Sequence, residues 1–303
     1  MSLPADTGVL LIAHGTVEDL DDLPAFVARI RHGRPAPPGL VEELRHRYEA
    51  IGGSPLLRLT REQAQALAKR LEAPVLVAMR LWEPGVEQAL AGAAALGLKR
   101  LVVIALAPFS QHVYWDAALK AAESVGSKIE LVRTNAWGEE PDFIAAHADV
   151  IRQHAPDGGA LVLSAHSLPS VVVQRGDPYA RLVEASAAAL SKALGPAYPM
   201  RLCYQSQGAD GGDWLGPGVR ETLEALAAEG QSRELGQGPL RHETVWSPFG
   251  FVADHVETLY DLDIEAAAIA KEVGVEVRRV AALNLHPGLT AALSAVAIRA
   301  ISS

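Results

Sequence analysis

The sequence predicts an α/β protein of two Rossmann-like domains, each a four-stranded parallel sheet flanked by helices. Three observations predict it. Unbroken apolar runs of strand length recur along the chain. Stretches rich in Ala, Leu and Glu with helical period lie between them. The runs fall four and four on either side of a loop. Continuous apolar strands that alternate with helices belong to parallel sheets covered on both faces.

In the first half the strands are expected at 9–13, 74–81, 101–107 and 129–133, with helical stretches at 61–71 and 86–96. Gln153-His154-Ala155-Pro156-Asp157-Gly158-Gly159 then reads as a loop, which puts the first domain at 1–152 and the second at 153–285. In the second half the strands are expected at 160–165, 200–204, 244–251 and 275–283, with helical stretches at 178–194 and 218–229. Residues 289–301 are helical, and the segment 286–303 is expected to pack back on the first domain. Residues 231–242, with Gly236, Gly238 and Pro239, read as a surface insertion.

The halves echo each other. Leu10-Leu11-Ile12-Ala13-His14-Gly15-Thr16 is matched by Leu161-Val162-Leu163-Ser164-Ala165-His166-Ser167, and Ala107-Pro108-Phe109 by Ser247-Pro248-Phe249. In such folds ligands bind beyond the carboxyl ends of the strands. His14, His166 and the residues after Pro108 and Pro248 are therefore expected to face one cleft between the domains.

Composition narrows the function. A net charge of −9 argues against a nucleic-acid partner, because phosphate binding needs a basic surface. A single cysteine, Cys203, excludes a disulfide within the chain and a cysteine-ligated iron–sulfur cluster. The N-terminal stretch carries no signal-like pattern, and no apolar run reaches the roughly 18 residues of a membrane span. A cytoplasmic protein without an integral membrane segment is expected. No Gly-x-Gly-x-x-Gly follows a strand, no Walker loop occurs, and no His-Glu-x-x-His or paired-cysteine zinc signature is present. Tyr204-Gln205-Ser206-Gln207-Gly208 lacks the first glycine of a hydrolase elbow.

What remains is acidic. Between Asp254 and Glu265 lie Asp254, Glu257, Asp261, Asp263 and Glu265 with no Lys or Arg. Glu257, Asp261 and Glu265 recur every fourth residue and would share one helical face. Like charges at that spacing repel by roughly 0.2–0.5 kcal/mol per pair, so the ladder is unfavourable unless a cation lies along it. It reads either as a solvated helix face or as a metal path. His166, at a strand end, can accept a proton near neutral pH, or it can be a hydrogen-bonded structural histidine.

Four blocks settle on one family. They are Ser164-Ala165-His166-Ser167-Leu168-Pro169; Gly250-Phe251-Val252-Ala253-Asp254-His255-Val256-Glu257-Thr258-Leu259-Tyr260-Asp261; Gln205-Ser206 with Trp214-Leu215-Gly216-Pro217; and Arg45-His46-Arg47-Tyr48-Glu49-Ala50-Ile51-Gly52-Gly53-Ser54-Pro55-Leu56. In this order the chain resembles the ferrochelatases, most of all the Bacillus-type members that metallate protoporphyrin or coproporphyrin. The resemblance implies a chelatase-like fold, ferrous iron and a porphyrin as substrates, and no tightly bound cofactor. Transient contacts with neighbouring haem-pathway enzymes are also implied.

The resemblance assigns roles to residues. His166 would take a pyrrole proton or present the metal, with Glu257 as its catalytic partner. His166, Glu257, Asp261 and Glu265 would meet the metal. His14, Arg31, Arg34, Arg47, Tyr48, Ser54, Tyr114, Gln205 and Trp214 would meet the porphyrin. Arg45 is a further candidate for a propionate, since guanidinium matches carboxylate geometry. Two departures from Bacillus-type members stand out: His14 and Val17 replace a tyrosine and a proline, and the Gly53-Ser54 junction is one residue shorter. A chelatase for another tetrapyrrole and a non-catalytic tetrapyrrole carrier are the alternative readings.

Overall fold

The computed structural model describes residues 3–208, 212–234 and 243–302. The chain divides into two compact units. One comprises the chain up to Phe143, Val252–Val256 and the chain from Asn284 onward; the other comprises Ile144–Phe251 and Glu257–Leu283.

The first unit carries β1 (Thr7–Ala13), α1 (Leu23–Ile30), α2 (Leu40–Ala50), α3 (Leu56–Leu71), β2 (Val75–Met79), α4 (Val86–Ala95), β3 (Arg100–Ala105), α5 (Gln111–Ser124) and β4 (Glu130–Arg133). Its sheet is parallel in the order β2-β1-β3-β4, with Val9 opposite both Val75 and Val102. Every residue of β1 is buried, which is why the run shows no alternation. On α3 the buried positions Leu56, Thr60, Gln63, Leu67 and Leu71 recur at helical spacing. Residues 252–256 return to this unit and are fixed there. The buried Gln63 amide donates to the carbonyls of Val252 (3.2 Å) and Asn284 (2.8 Å), and the Asn284 amide donates to Asp254 at 2.7 Å.

In the second unit α6 (Pro141–His154), which begins just before the division, leads to β5 (Leu161–His166), α7 (Ser170–Gln174), α8 (Tyr179–Leu194), β6 (Met200–Gln205), α9 (Val219–Glu234) and β7 (Thr244–Ser247). Then come α10 (Val256–Leu259), whose first residue belongs to the other unit, a π-helical turn (Asp261–Ala266), α11 (Ala267–Val273) and β8 (Val277–Arg279). The order is β6-β5-β7-β8, again all parallel, so the second sheet repeats the topology of the first. Buried Val183, Ala187, Leu190 and Leu194 line one face of α8, which ends at Gly195 in a positive-φ conformation. The last helix, α12 (Pro287–Ser302), packs on α3, β3 and β4 in the first unit, and its Arg299 pairs with the buried Glu140.

The division differs from the expected boundary at 152/153. Most of α6 goes with the second unit, where its buried His147 lies edge-on to Phe249 with ring centroids 4.8 Å apart. Residues 252–256 go with the first unit because of the Gln63 and Asn284 hydrogen bonds. Several strands are shorter than their apolar runs, β7 and β8 most of all. β7 stops at Ser247, since Pro248 has no N–H for the ladder, and β8 covers only Val277–Arg279. α9 runs on to Glu234, past the expected end at 229, and the remainder of the expected insertion, residues 235–242, lies outside the described residues. Among the described residues, no helix is long and apolar enough to cross a membrane.

Candidate active site

The second sheet reverses its strand order between β5 and β7, and ligands collect beyond the carboxyl ends at such a point. His166 is the last residue of β5 and pairs in register with Gln205, the last of β6. The backbone around it is tied on several sides. The Tyr179 hydroxyl donates to the His166 carbonyl at 2.9 Å, the Ser167 N–H to the Gln205 carbonyl at 2.7 Å, and the Ser167 hydroxyl to the Leu215 carbonyl at 2.8 Å. Beyond Ser167 the chain forms an antiparallel bridge between Pro169 and Trp214, with the Leu215 N–H donating to the Leu168 carbonyl at 2.9 Å. The Trp214 indole lies where a Cβ on Gly208 would come within 2.8 Å of it, so a larger residue there would have to displace the ring.

The loop after β7 completes the frame. The Gly250 N–H donates to the Ser164 carbonyl at 2.9 Å, and a Cβ at position 250 would stand 2.8 Å from both Cα and Cβ of Ala165. The absent side chain lets this loop lie against the end of β5. The chain then passes through 252–256 and enters α10, where Glu257 points back at His166. Nδ1 of His166 is 3.1 Å from Oε2 of Glu257, and the two side chains are 37% and 28% exposed. Burial opposes the imidazolium, but the Glu257 carboxylate, by charge and hydrogen bond, and the charge of Asp261 outweigh it. The His166 pKa is raised above 6.5.

The acidic ladder is sorted by its surroundings. Asp254 takes the Asn284 side chain as partner, its N–H donating to Oδ1 at 2.8 Å. Asp263 forms a two-point pair with Arg279, one contact at 2.8 Å. Asp261 is buried and accepts from the Ser206 hydroxyl, while Glu257 faces His166. Glu265 is half-buried one turn on, where its N–H and that of Ile264 both donate to the Tyr260 carbonyl in the π-helical turn. The expected quartet is thus not a preformed cage. Among the described residues, no group of three or more His, Cys, Asp or Glu side chains could hold a metal ion together. Cys203 is buried in β6, and burial above all pushes its thiol up to about 12, which keeps it from acting as a thiolate ligand.

The remaining expected residues divide by environment. Gln205 is buried, 1% exposed, and its amide donates to the Glu257 carbonyl at 2.5 Å, so its side chain braces α10. In the first unit His14 follows β1 and is half-buried, its carbonyl accepting from the Leu81 N–H at 3.0 Å. Tyr48 is buried among Val17, Leu23 and Phe26, with its hydroxyl 2.9 Å from that of Thr16, and so serves packing in this unit. Tyr114 is also a core residue. Arg45 bonds Leu20 and Asp21, and Arg47 pairs with Glu43 at 2.6 Å. Arg31 donates to the Pro35 carbonyl at 3.0 Å and Arg34 to the Arg31 carbonyl at 3.2 Å, both at the surface after α1. The Ser54 hydroxyl accepts from the Leu56 N–H at 3.4 Å where α3 begins.

Sequence reasoning passed over Arg80. Its backbone N–H donates to the Ala13 carbonyl at 2.8 Å, next to His14. Its guanidinium lies 5.3 Å from the Tyr114 ring centre, and its Nε is buried with no hydrogen-bond partner among the described residues. A cation directly after the apolar run of β2 was the available signal.

The ferrochelatase family model matches residues 6–301. A ferrochelatase from Acidobacterium capsulatum is 35% identical over 95% of this chain and 93% of its own length. A coproporphyrin III ferrochelatase from Geobacillus thermodenitrificans is 34% identical over 97% of this chain and 96% of its own. Among solved structures, SirB from Bacillus subtilis with Fe3+ superposes with a TM-score of 0.57 at 14% identity, covering 97% of this chain and 95% of that one, a likeness of fold.

Proposed function

The chain belongs to the ferrochelatase family, and from that premise we propose that it inserts ferrous iron into a porphyrin in haem biosynthesis, a lyase of the porphyrin-chelatase class. One observation carries the chemistry: the His166 imidazole paired at 3.1 Å with the Glu257 carboxylate at the reversal point of the second sheet. Metal insertion exchanges two pyrrole protons for one doubly charged cation. The neutral imidazole accepts a proton, and the carboxylate beside it stabilises the imidazolium that results. The same pair offers one nitrogen and one oxygen donor to ferrous iron, a metal that accepts both. With no group of three such donors converging among the described residues, iron keeps coordination positions for the pyrrole nitrogens. Buried Asp261 and half-buried Glu265 extend the acidic helical face along which iron would arrive.

We propose coproporphyrin III as the substrate; its support is the 34% identical relative of that name. For contact with the porphyrin we retain His14, Arg31, Arg34, Ser54 and Trp214 and add Arg80, whose partnerless Nε suits a carboxylate. We place the reaction in the cytoplasm, with the porphyrin passed in transient contact with neighbouring haem-pathway enzymes. The test is an anaerobic assay with ferrous iron, comparing coproporphyrin III with protoporphyrin IX by the Soret shift. Metallation of neither would refute the proposal, and a preference for protoporphyrin IX would overturn the substrate.

A further inference from the structure

Glu257 and Asp261 lie on the least self-sufficient helical stretch of the second unit. α10 has four residues, and the next turn is π-helical. A single helical turn has few internal hydrogen bonds, and a π turn is a poor continuation of one, so such a segment keeps its shape through outside contacts. Two of those contacts come from consecutive residues at the end of β6. The Gln205 amide donates to the Glu257 carbonyl at 2.5 Å, and the Ser206 hydroxyl donates to the Asp261 carboxylate. The spacing matches: neighbours on the strand end reach two residues four apart on the helical face.

The backbone at Ser206 shows that this reach is imposed. Its φ is +59°, in the left-handed region that disfavours every residue with a Cβ. A non-glycine residue held there, beside a candidate site, points to a role for its side chain. Gln205 is meanwhile locked by register, since it pairs with His166 across β5 and β6.

We infer that Gln205 and Ser206 are positioning residues, a clasp from β6 that sets both carboxylates of the iron site against His166. Gln205 fixes Glu257 through its backbone, and Ser206 fixes the Asp261 carboxylate itself. Neither residue needs to touch iron or porphyrin. The inference rests on the proposed ferrous-iron insertion, and it concerns rate rather than porphyrin affinity. Hydrogen-bond partners of metal-ligating groups commonly affect activity by about 10–100-fold.

Ser206→Gly separates positioning from folding. Glycine accepts the left-handed conformation without strain, so this variant should match or exceed the thermal stability of the natural protein. It removes the hydroxyl, so kcat for iron insertion should fall about 10–100-fold with the porphyrin KM little changed. Ser206→Asn, which tolerates the same backbone and carries an N–H donor, should recover part of the rate. Gln205→Leu, checked for native near-ultraviolet circular dichroism, should lower kcat in the same way. A stable Ser206→Gly protein with unaltered kcat would overturn the clasp while leaving iron insertion standing. A natural protein that metallates no porphyrin would instead refute the proposed function, and with it the site this clasp would serve.

Discussion

Gly250→Ala tests whether the loop after β7 sets the position of His166. An added Cβ would stand 2.8 Å from both Cα and Cβ of Ala165 and 3.5 Å from the Ser164 carbonyl oxygen. Carbon atoms in contact prefer about 3.5 Å or more, so loop or strand must yield by about 0.7 Å. β5 cannot yield freely, because β6 and β7 flank it and the Gly250 N–H is bonded to the Ser164 carbonyl. Overpacking of this kind costs about 1–3 kcal/mol. Taking about 2 kcal/mol, the melting temperature should fall by about 4–8 °C. The displaced atom is one residue from His166, whose 3.1 Å approach to Glu257 would open. Misplacement of about 1 Å can lower a rate about 100-fold, so kcat should drop by about 10–100-fold. Thermal unfolding and the anaerobic Soret assay read the two effects separately. Ala165→Gly added to Gly250→Ala should restore only part of each, since it removes the clash with Cβ and leaves that with Cα. A single variant with natural stability and rate would refute the reasoning.

Other expectations follow from the same contacts. Insertion requires a neutral His166, so its rate should rise with pH through a pKa above 6.5; in Glu257→Gln the surviving inflection should move to lower pH, measured as log kcat against pH. Because the folded-state pKa is raised, the pair stabilises fully below the unfolded value of 6.5, and this contribution is lost as pH rises through the folded value. Glu257→Gln should therefore destabilise more at about pH 5.5 than at about pH 9 in denaturant titrations. His166→Ala should abolish metallation while leaving porphyrin binding, followed by fluorescence quenching, largely intact. Cys203, with its thiol pushed up to about 12 by burial, should resist iodoacetamide in the native protein and react on unfolding, as mass spectrometry would show. Gln63→Ala removes the buried donor to the Val252 and Asn284 carbonyls and should destabilise by about 1–3 kcal/mol in chemical denaturation.

The sequence by itself determined the alternation of buried strands and helices, because a strand covered on both faces must be apolar throughout. It therefore disclosed two parallel sheets and placed His166 at a strand end. The ordered blocks named Glu257 as its partner, although 91 residues of chain separate the two. Tertiary structure decided which carboxylates of the ladder serve that pair. Asp254 is taken by Asn284 and Asp263 by Arg279, while Asp261 is held by Ser206 from 55 residues away. Spacing along a helix shows which side chains share a face. It says nothing of the distant groups that meet that face, and those partners fix charge and direction. For the same reason Tyr48 and Gln205, which the resemblance assigns to the porphyrin, fold as an interior packing residue and a buried brace. Arg80, unremarkable in sequence, emerges with a buried Nε that has no hydrogen-bond partner among the described residues, while its backbone N–H holds the carbonyl of Ala13, the residue before His14.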